Sequence, residues 1–234
     1  MNTEFNELVR DDWLGDQLGK PAWHLKSNAN PKQGILSTTA PAFIDARATP
    51  NDTEYCRELF SAGFNLVNTT ITLGRTNHGQ TSNSAFEVRQ AELEDAPSIE
   101  EIAAKVFTFD RFHADPDIPN ETANRIKASW AKNYFSGQRG DWMIVGRIKG
   151  KVSGFLQLLK NDPYIVIDLI GVDKNARGTG LAAEMIGYST AICEPNAPMR
   201  VGTQLTNTTS IRFYEALGFK IEDAYHVFHN HVIQ

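Results

Sequence analysis

The sequence predicts a mixed α/β (α+β) fold with a central mixed sheet, and three observations lead there. Strand-like and helix-like hydrophobic periods alternate along most of the 234 residues. The apolar run Tyr164 to Val172, broken only by Asp168, passes into a glycine-rich turn and then a helical pattern. Twice a helix-like segment ends at Gly-Phe and enters a β-rich one, at Gly63-Phe64 and at Gly218-Phe219. Composition agrees: 41% apolar and 22% charged residues are ordinary for a globular chain and exclude collagen-like, coiled-coil and fully disordered classes. The length corresponds to roughly one and a half domains.

The front of the chain begins irregularly, with Trp13 and Trp23 as anchors. Ala42 to Ala48 reads as a strand. Pro50-Asn-Asp-Thr53 starts a helix, with Asp52 and Glu54 near the positive end of its dipole. That helix passes Cys56, Leu59 and Phe60 and stops at Gly63, a left-handed cap. Phe64 to Leu73 is β-rich. Residues 1–75 thus read as a small N-terminal β-α-β subdomain, too small to stand comfortably alone. Thr76 to Ser84 holds no aliphatic residue and no Phe, Tyr or Trp, and reads as a linker.

Residues 85–234 alternate clearly. Phe86 to Ala91 is a strand. Asp95 to Phe107 is a helix, with Ile99, Ile102, Ala103 and Val106 on one face. After a proline-bounded loop, Glu121 to Phe135 is a second helix carrying Ile126, Trp130 and Tyr134. Trp142 to Ile148 and Val152 to Leu159 form a hairpin about Lys149-Gly150-Lys151. Tyr164 to Val172 is a strand, Gly180 to Cys193 a helix, Arg200 to Leu205 a strand and Thr208 to Leu217 a helix. Phe219 to Val232 closes the chain with strand-like residues. The order is β-α-α-β-β-β-α-β-α-β. Arg57 to Phe64 echoes Arg212 to Phe219. Either such joints simply recur, or the front piece is a degenerate copy of the last α-β unit.

With 23 basic and 28 acidic residues the net charge is −5, so nothing draws the chain to nucleic acid in general. Anionic ligands must be met by local Arg, Lys or backbone amides. Cys56 and Cys193 are far apart and lack metal-ligand spacing; they read as free thiols in a reducing compartment, and no metal is expected. The first residues, MNTEFNELVRDDW, contain no secretory apolar core. No run approaches the ~18 apolar residues of a membrane span. The expectation is a soluble, cytoplasmic protein.

The strongest chemical signal is Val172-Asp-Lys-Asn-Ala-Arg-Gly-Thr-Gly-Leu-Ala182. A strand running into a glycine turn and a helix presents successive N–H groups and a dipole end to an anion. Gly178 and Gly180 allow close approach, and Arg177 adds a cation at the rim. A Walker A loop would need Gly-Lys-Ser/Thr, whereas Gly180 is followed by Leu181 and Ala182. A dinucleotide fingerprint would need a third glycine, whereas Ala183 stands there, and would open the fold rather than come late. Arg177-x-x-Gly180-x-Ala182, after a strand in the fourth position, resembles the acetyl-CoA pyrophosphate motif of the GNAT acetyltransferase superfamily. Asn207-Thr-Thr-Ser-Ile-Arg-Phe-Tyr-Glu-Ala-Leu-Gly-Phe219 resembles that superfamily's C-terminal element.

The resemblance implies a GNAT acyl-CoA N-acyltransferase fold over 85–234, with a splayed cofactor site and acetyl-CoA as donor. It places Arg177, Gly178, Thr179, Gly180, Leu181 and Ala182 on the pyrophosphate and Asn207 on the pantetheine arm. Asn207 also suits a helix cap. Tyr214 is then the general acid that protonates the leaving thiolate, its ordinary pKa of ~10 lying near that of a thiol at ~8.5. An amide of a splayed or bulged strand would hold the oxyanion, by position at Leu169 or Ile170, with Val172 among the pantetheine contacts. Asp168, the one charge in its strand, is a candidate base or substrate ligand, and equally an amine-orienting or solvent-facing group.

The loop Phe107-Thr-Phe-Asp-Arg-Phe-His-Ala-Asp-Pro-Asp-Ile-Pro119 lies over the acceptor site in such folds. It offers Arg111 and His113 as anion or sugar ligands. Either could instead serve the loop itself, Arg111 by pairing with Asp115 or Asp117. Together with Trp130, Asn133, Gly137-x-x-Gly-Asp141 and Trp13-Leu-Gly, this loop resembles the TDP-fucosamine acetyltransferases. These N-acetylate a dTDP-linked 4-amino-4,6-dideoxy-D-galactose for surface polysaccharide assembly. The resemblance therefore implies direct N-acetylation of a small-molecule amine acceptor, a nucleotide-linked amino sugar. Neither nucleic acid nor membrane is expected as a partner, and a homodimer stays open. Acetylation of a protein N-terminus, a lysine or a polyamine, and a non-catalytic acyl-CoA-binding module, are the alternatives.

Overall fold

The computed structural model describes residues 7–76, 86–194 and 197–233. Residues 77–84 of the expected linker fall outside the described residues. The elements before it are β1 (Leu8–Arg10), α1 (Asp12–Leu18), β2 (Ala22–Leu25), α2 (Pro31–Leu36), β3 (Ala42–Ala48), α3 (Thr53–Ser61) and β4 (Asn65–Arg75). After it come β5 (Glu87–Gln90), α4 (Ala96–Val106), α5 (Asn120–Lys132), β6 (Trp142–Ile148), β7 (Lys151–Asn161) and β8 (Tyr164–Val172). The chain closes with α6 (Leu181–Ile192), β9 (Met199–Gln204), α7 (Thr208–Ala216) and β10 (Lys220–Val232).

The irregular start expected before residue 42 is in fact ordered as two short helices and two short strands. Asp11 caps α1 by accepting from the Leu14 amide at 2.8 Å. Asn30 caps α2 by accepting from the Gln33 amide at 3.1 Å, with Pro31 in the first turn. Helices of 7 and 6 residues are too short to show a hydrophobic period.

All ten strands form one sheet in the order β1-β2-β3-β10-β4-β9-β8-β7-β6-β5. Only β2–β3 and β8–β9 run parallel. The strands of the expected front piece are thus continuous with the rest, and β4 lies between β9 and β10. On one face, α6 packs Leu181, Met185 and Ile186 against Ile144, Leu156 and Ile167. On the other, Ile99, Ile102 and Ala103 of α4 and Ala131 of α5 cover Met143, Val145 and Phe155. Met143 and Val145 alternate with Ile144 between the two layers, as strand geometry demands.

The echo noted in the sequence is a structural correspondence. Gly63 and Gly218 are both left-handed, with φ of +84° and +83°. The following amides bond back alike: Phe64 to the Leu59 carbonyl and Phe219 to the Tyr214 carbonyl, each at 3.0 Å. At the other helix ends Asp52 and Asn207 cap α3 and α7 in the same way. The units β3-α3-β4 and β9-α7-β10 interlock. Each lays its first strand against the second strand of the other, and β4 and β10 pair antiparallel between them.

Candidate active site

The parallel pair β8–β9 holds only where Ile165–Ile167 face Met199–Val201. Beyond that the strands part. Here β8 also carries a bulge: Leu158 of β7 faces Ile167 and Gln157 faces Leu169, leaving Asp168 unmatched. The bulge reverses the alternation, so Ile165 and Ile167 enter the α6 core while Leu169 enters the α4 core. The splay opens a cavity of about 350 Å³. It is walled by residues 167–172 of β8, 201–204 of β9, Asn207, Thr209, Ser210 and Tyr214. Arg177 stands on its rim, and Val106 to Asp110 with Lys127 form the opposite wall.

Past β8 the chain makes a single 3₁₀ turn, capped by Asp173, and reaches Arg177. Gly178 and Gly180 then take φ of +75° and +94°, and Gly180 is the N-cap of α6. A Cβ at either would meet nothing within 4 Å, so conformation rather than crowding calls for glycine. Thr179 Oγ1 donates to the Ala176 carbonyl at 2.8 Å and firms the turn. Leu181 is 1% exposed with its side chain in the core, and its amide donates to Thr179 Oγ1 at 3.4 Å. The exposed Arg177 lines the cavity beside the N-terminus of α6, a kind of helix end that can meet an anion.

Tyr214 is 3% exposed and packs edge-on against Phe213 and Phe219. Burial pushes its hydroxyl pKa up, which keeps it protonated. Asn207 accepts from the Ser210 amide at 3.2 Å while lining the cavity. Cys193 is buried and its thiol is pushed up to about 12 by burial, a poor nucleophile outside the cavity.

Asp168 is engaged at both oxygens. Oδ2 accepts from Arg139 Nε at 2.7 Å and Trp130 Nε1 at 2.8 Å; Oδ1 accepts from Arg139 Nη2 at 2.6 Å. Gln157 Nε2 lies 3.4 Å from Oδ2. Four donors from Trp130, Arg139 and Gln157 thus fix the carboxylate's orientation. Behind it lies a second cavity of about 560 Å³, lined by Trp130, Asn133, Gln138, Arg139 and Arg111, and by Asp11, Trp13, Leu14, Asp16, His24 and Arg47 from the front of the chain. Asp168 lines the first cavity and its hydrogen-bond partners Trp130 and Arg139 line the second, so this trio links the two.

Arg111 lines this second cavity, but its carboxylate partner is Asp45 of β3, not Asp115 or Asp117. From sequence, His113 reads as a ligand or as a group serving the loop itself. Its ring is turned inward, Nδ1 to Asp110 at 2.6 Å and Nε2 to Asn124 at 2.9 Å, and it lines neither cavity. The loop's own hydrogen bonding has claimed it. Lys127, His24 and Arg47 escaped the sequence reading. Lys127 falls on the apolar face of α5, and the other two stand on strands brought over by pairings distant in sequence.

Asp115, His229 and His231 gather at the base of the same loop, their ligand-type atoms within 4.8 Å of one another. Hydrogen bonds hold Asp115 Oδ2, His229 Nδ1 and His231 Nε2 together, while His229 Nε2 is buried without a partner among the described residues. Asp115 Oδ2 faces His229 Nδ1 at 2.6 Å and His231 Nε2 at 2.8 Å, and Lys20 Nζ lies 2.9 Å from His231 Nδ1. An ammonium on Nδ1 leaves the Nε2 proton for the carboxylate, which is not the arrangement of a metal ligand.

A splayed β8–β9 pair, a glycine turn before the following helix and a buried tyrosine opposite the bulge define an acyl-CoA transferase fold. The Acetyltransferase (GNAT) family model matches residues 97–219, and the chain belongs to that family. The chain is 33% identical over 146 residues to the spore coat polysaccharide biosynthesis protein SpsD of Bacillus subtilis, covering 62% of this chain and 50% of that protein. It thus spans about half the length of that relative. It is 23% identical over 181 residues to the dTDP-fucosamine acetyltransferase of Escherichia coli, covering 76% and 77% of the two chains. Among solved structures, a protein of unknown function from Staphylococcus epidermidis superposes with TM-score 0.67 at 12% identity, over 92% of this chain and 86% of that one. A GCN5-related N-acetyltransferase from Kribbella flavida gives 0.60 at 14%, over 90% and 81%. At these identities the likeness shows the fold. Among the described residues no helix is long and apolar enough to cross a membrane.

Proposed function

We propose that the chain transfers an acetyl group from acetyl-CoA directly to the amine of a nucleotide-linked amino sugar, a 4-amino-4,6-dideoxyhexose used in surface polysaccharide synthesis. The observation that carries this reading is the pair of cavities linked by the Trp130–Arg139–Asp168 trio. The first, with the glycine turn and helix N-terminus at 177–182, suits the donor's pyrophosphate and pantetheine arm. The second brings Arg47, Arg111 and Arg139 beside the rings of Trp13 and Trp130, the equipment for a diphosphate and a planar base or sugar face. The names of the two relatives, one in polysaccharide biosynthesis and one a dTDP-fucosamine acetyltransferase, point the same way.

In this reading the pyrophosphate is held by the amides of Gly178 to Ala182 and by Arg177. Asn207, Ile170 and Val172 hold the pantetheine arm. An amide freed at the bulge, Leu169 or Ile170, stabilises the oxyanion where charge develops. Tyr214 gives its proton to the departing thiolate. Asp168, fixed by Arg139, orients the attacking amine between the two cavities. A thiol-release screen of dTDP- and UDP-linked 3-amino and 4-amino sugars tests the reading. Turnover with one of them is expected; turnover only with peptides or polyamines overturns it.

A second reading, acetylation of a polyamine, a lysine or a protein N-terminus, draws on one feature. Asp11 and Asp16 line the same cavity and suit a cationic acceptor.

A further inference from the structure

Lys127 faces into the first cavity from the apolar side of α5. It is 7% exposed and, among the described residues, is the one lysine lining that cavity. Its Nζ sits among three rings, 4.9 Å from the centre of Trp130, 5.2 Å from Phe107 and 5.9 Å from Phe112. No described residue takes a hydrogen bond or a salt bridge from it. Its two acidic neighbours are committed elsewhere, Asp110 to His113 and the Phe112 amide, and Asp168 to Arg139 and Trp130. Tyr214 and the bulge of β8 lie on the facing wall.

We propose that Lys127 is itself an acetyl acceptor, modified by acetyl-CoA bound in its own cavity when no acceptor occupies the neighbouring one. The proposal rests on the donor site described above. Burial lowers the lysine pKa, which enlarges the fraction of neutral amine able to attack. In the step, the Nζ lone pair forms the N–C bond while the C–S bond breaks and sulfur keeps its electron pair. Nζ sheds one proton and sulfur takes up one through Tyr214, so the products are N-acetyl-lysine and free CoA thiol. The rings that flank the ammonium also accept an amide, which would hold the acetyl group in the cavity. The modified side chain then blocks the acyl site, giving a self-limiting enzyme that idles when acceptor is scarce.

The test incubates the full chain with acetyl-CoA alone and maps acetylated peptides by mass spectrometry. Acetyl-CoA binding is followed separately by thermal shift. A second, reaction-free readout is protection of Lys127 by CoA from labelling with trinitrobenzenesulfonate. Expected are near-stoichiometric acetylation at Lys127, at least 10-fold slower modification in Tyr214→Phe, suppression by excess CoA, and CoA protection of the amine. Lys127→Arg should remove the modified site while leaving exposed lysines as they were. Binding without acetylation of Lys127 overturns the proposal and leaves the donor reading standing. So does acetylation no faster than at exposed Lys105 and unaffected by Tyr214→Phe, which marks simple chemical acetylation. Absence of acetyl-CoA binding removes the donor reading and the proposal with it.

Discussion

Arg139 grips Asp168 at two points, Nε to Oδ2 at 2.7 Å and Nη2 to Oδ1 at 2.6 Å, and its guanidinium also stacks over the Trp130 ring 4.7 Å from its centre. The Asp168 side chain is 7% exposed and that of Arg139 39%. Breaking a fully buried pair costs ~3–5 kcal/mol, so with Arg139 half in solvent Arg139→Ala should cost about 2–3 kcal/mol in urea unfolding. Asp168→Asn in the same background should restore part of the loss. Strict additivity of the two changes would show that the pair is not coupled.

Tyr214→Phe should lower kcat by ~10²–10⁴-fold with acetyl-CoA affinity nearly unchanged, because in the proposed mechanism the hydroxyl works on the departing thiolate while the ring stays packed. Calorimetric binding beside single-turnover rates separates the two. Full turnover in the variant would take the acid role from this residue.

Gly180→Ala should weaken acetyl-CoA binding by 10-fold or more, with a stability cost of about 1–2 kcal/mol for a side chain at positive φ. Gly137→Ala, also at positive φ (+69°) with nothing within 4 Å of the added Cβ but outside the cavity, serves as the control for backbone strain. Equal effects on binding at the two positions would argue against the proposed anion cradle.

The loop over the site should loosen in acid. Burial lowers the His229 pKa from 6.5 to about 4, so the unfolded chain binds the proton more readily. Stability from this group is complete above pH 6.5 and declines as pH falls toward 4, by up to about 3 kcal/mol. Asp115 is also held low, the hydrogen bonds from His229 and His231 outweighing its burial, so its contribution is lost only below the ordinary carboxylate range. Denaturation at pH 7.5, 6 and 5 should show the decline, and His229→Gln should flatten it. A wild-type curve without slope between pH 7 and 5 would contradict it.

Gly171→Ala should destabilise by ~1–3 kcal/mol, since an added Cβ would stand 2.6 Å from Phe155 Cε1 and 3.0 Å from Val106 Cγ2. Thermal unfolding measures it, and Phe155→Leu in the same chain should relieve part of it.

The back of the chain was legible because its elements are long and locally signalled. Tyr164 to Val172 is recovered residue for residue as β8, and the Lys149-Gly150 turn joins β6 to β7 with both residues at positive φ. The strand, glycine turn and helix around 177–182 were legible because they are contiguous. Parity was not: nothing in Ile167-Asp168-Leu169 announces a bulge, which arises only against Gln157 of β7. Of the residues lining the second cavity, the sequence singled out Trp13, Arg111, Trp130 and Asn133 but not His24 or Arg47, whose nearness depends on β2 and β3 reaching the sheet. His113 misled because a histidine in an aromatic loop looks the same whether it faces a ligand or Asp110.

The interlocked units bear on how the molecule comes into being. Both neighbours of β10 are β3 and β4, so the closing strand finds its place only among residues some 150–190 positions upstream. β9, which walls the acyl cavity, has β4 on its other side. A chain emerging in order therefore holds β3 and β4 apart, leaving a slot that only β10 can fill. Completion of the sheet waits for that strand, and long-range closure of this kind is slow. Starting the chain after residue 76 would leave β10 without a strand on either side.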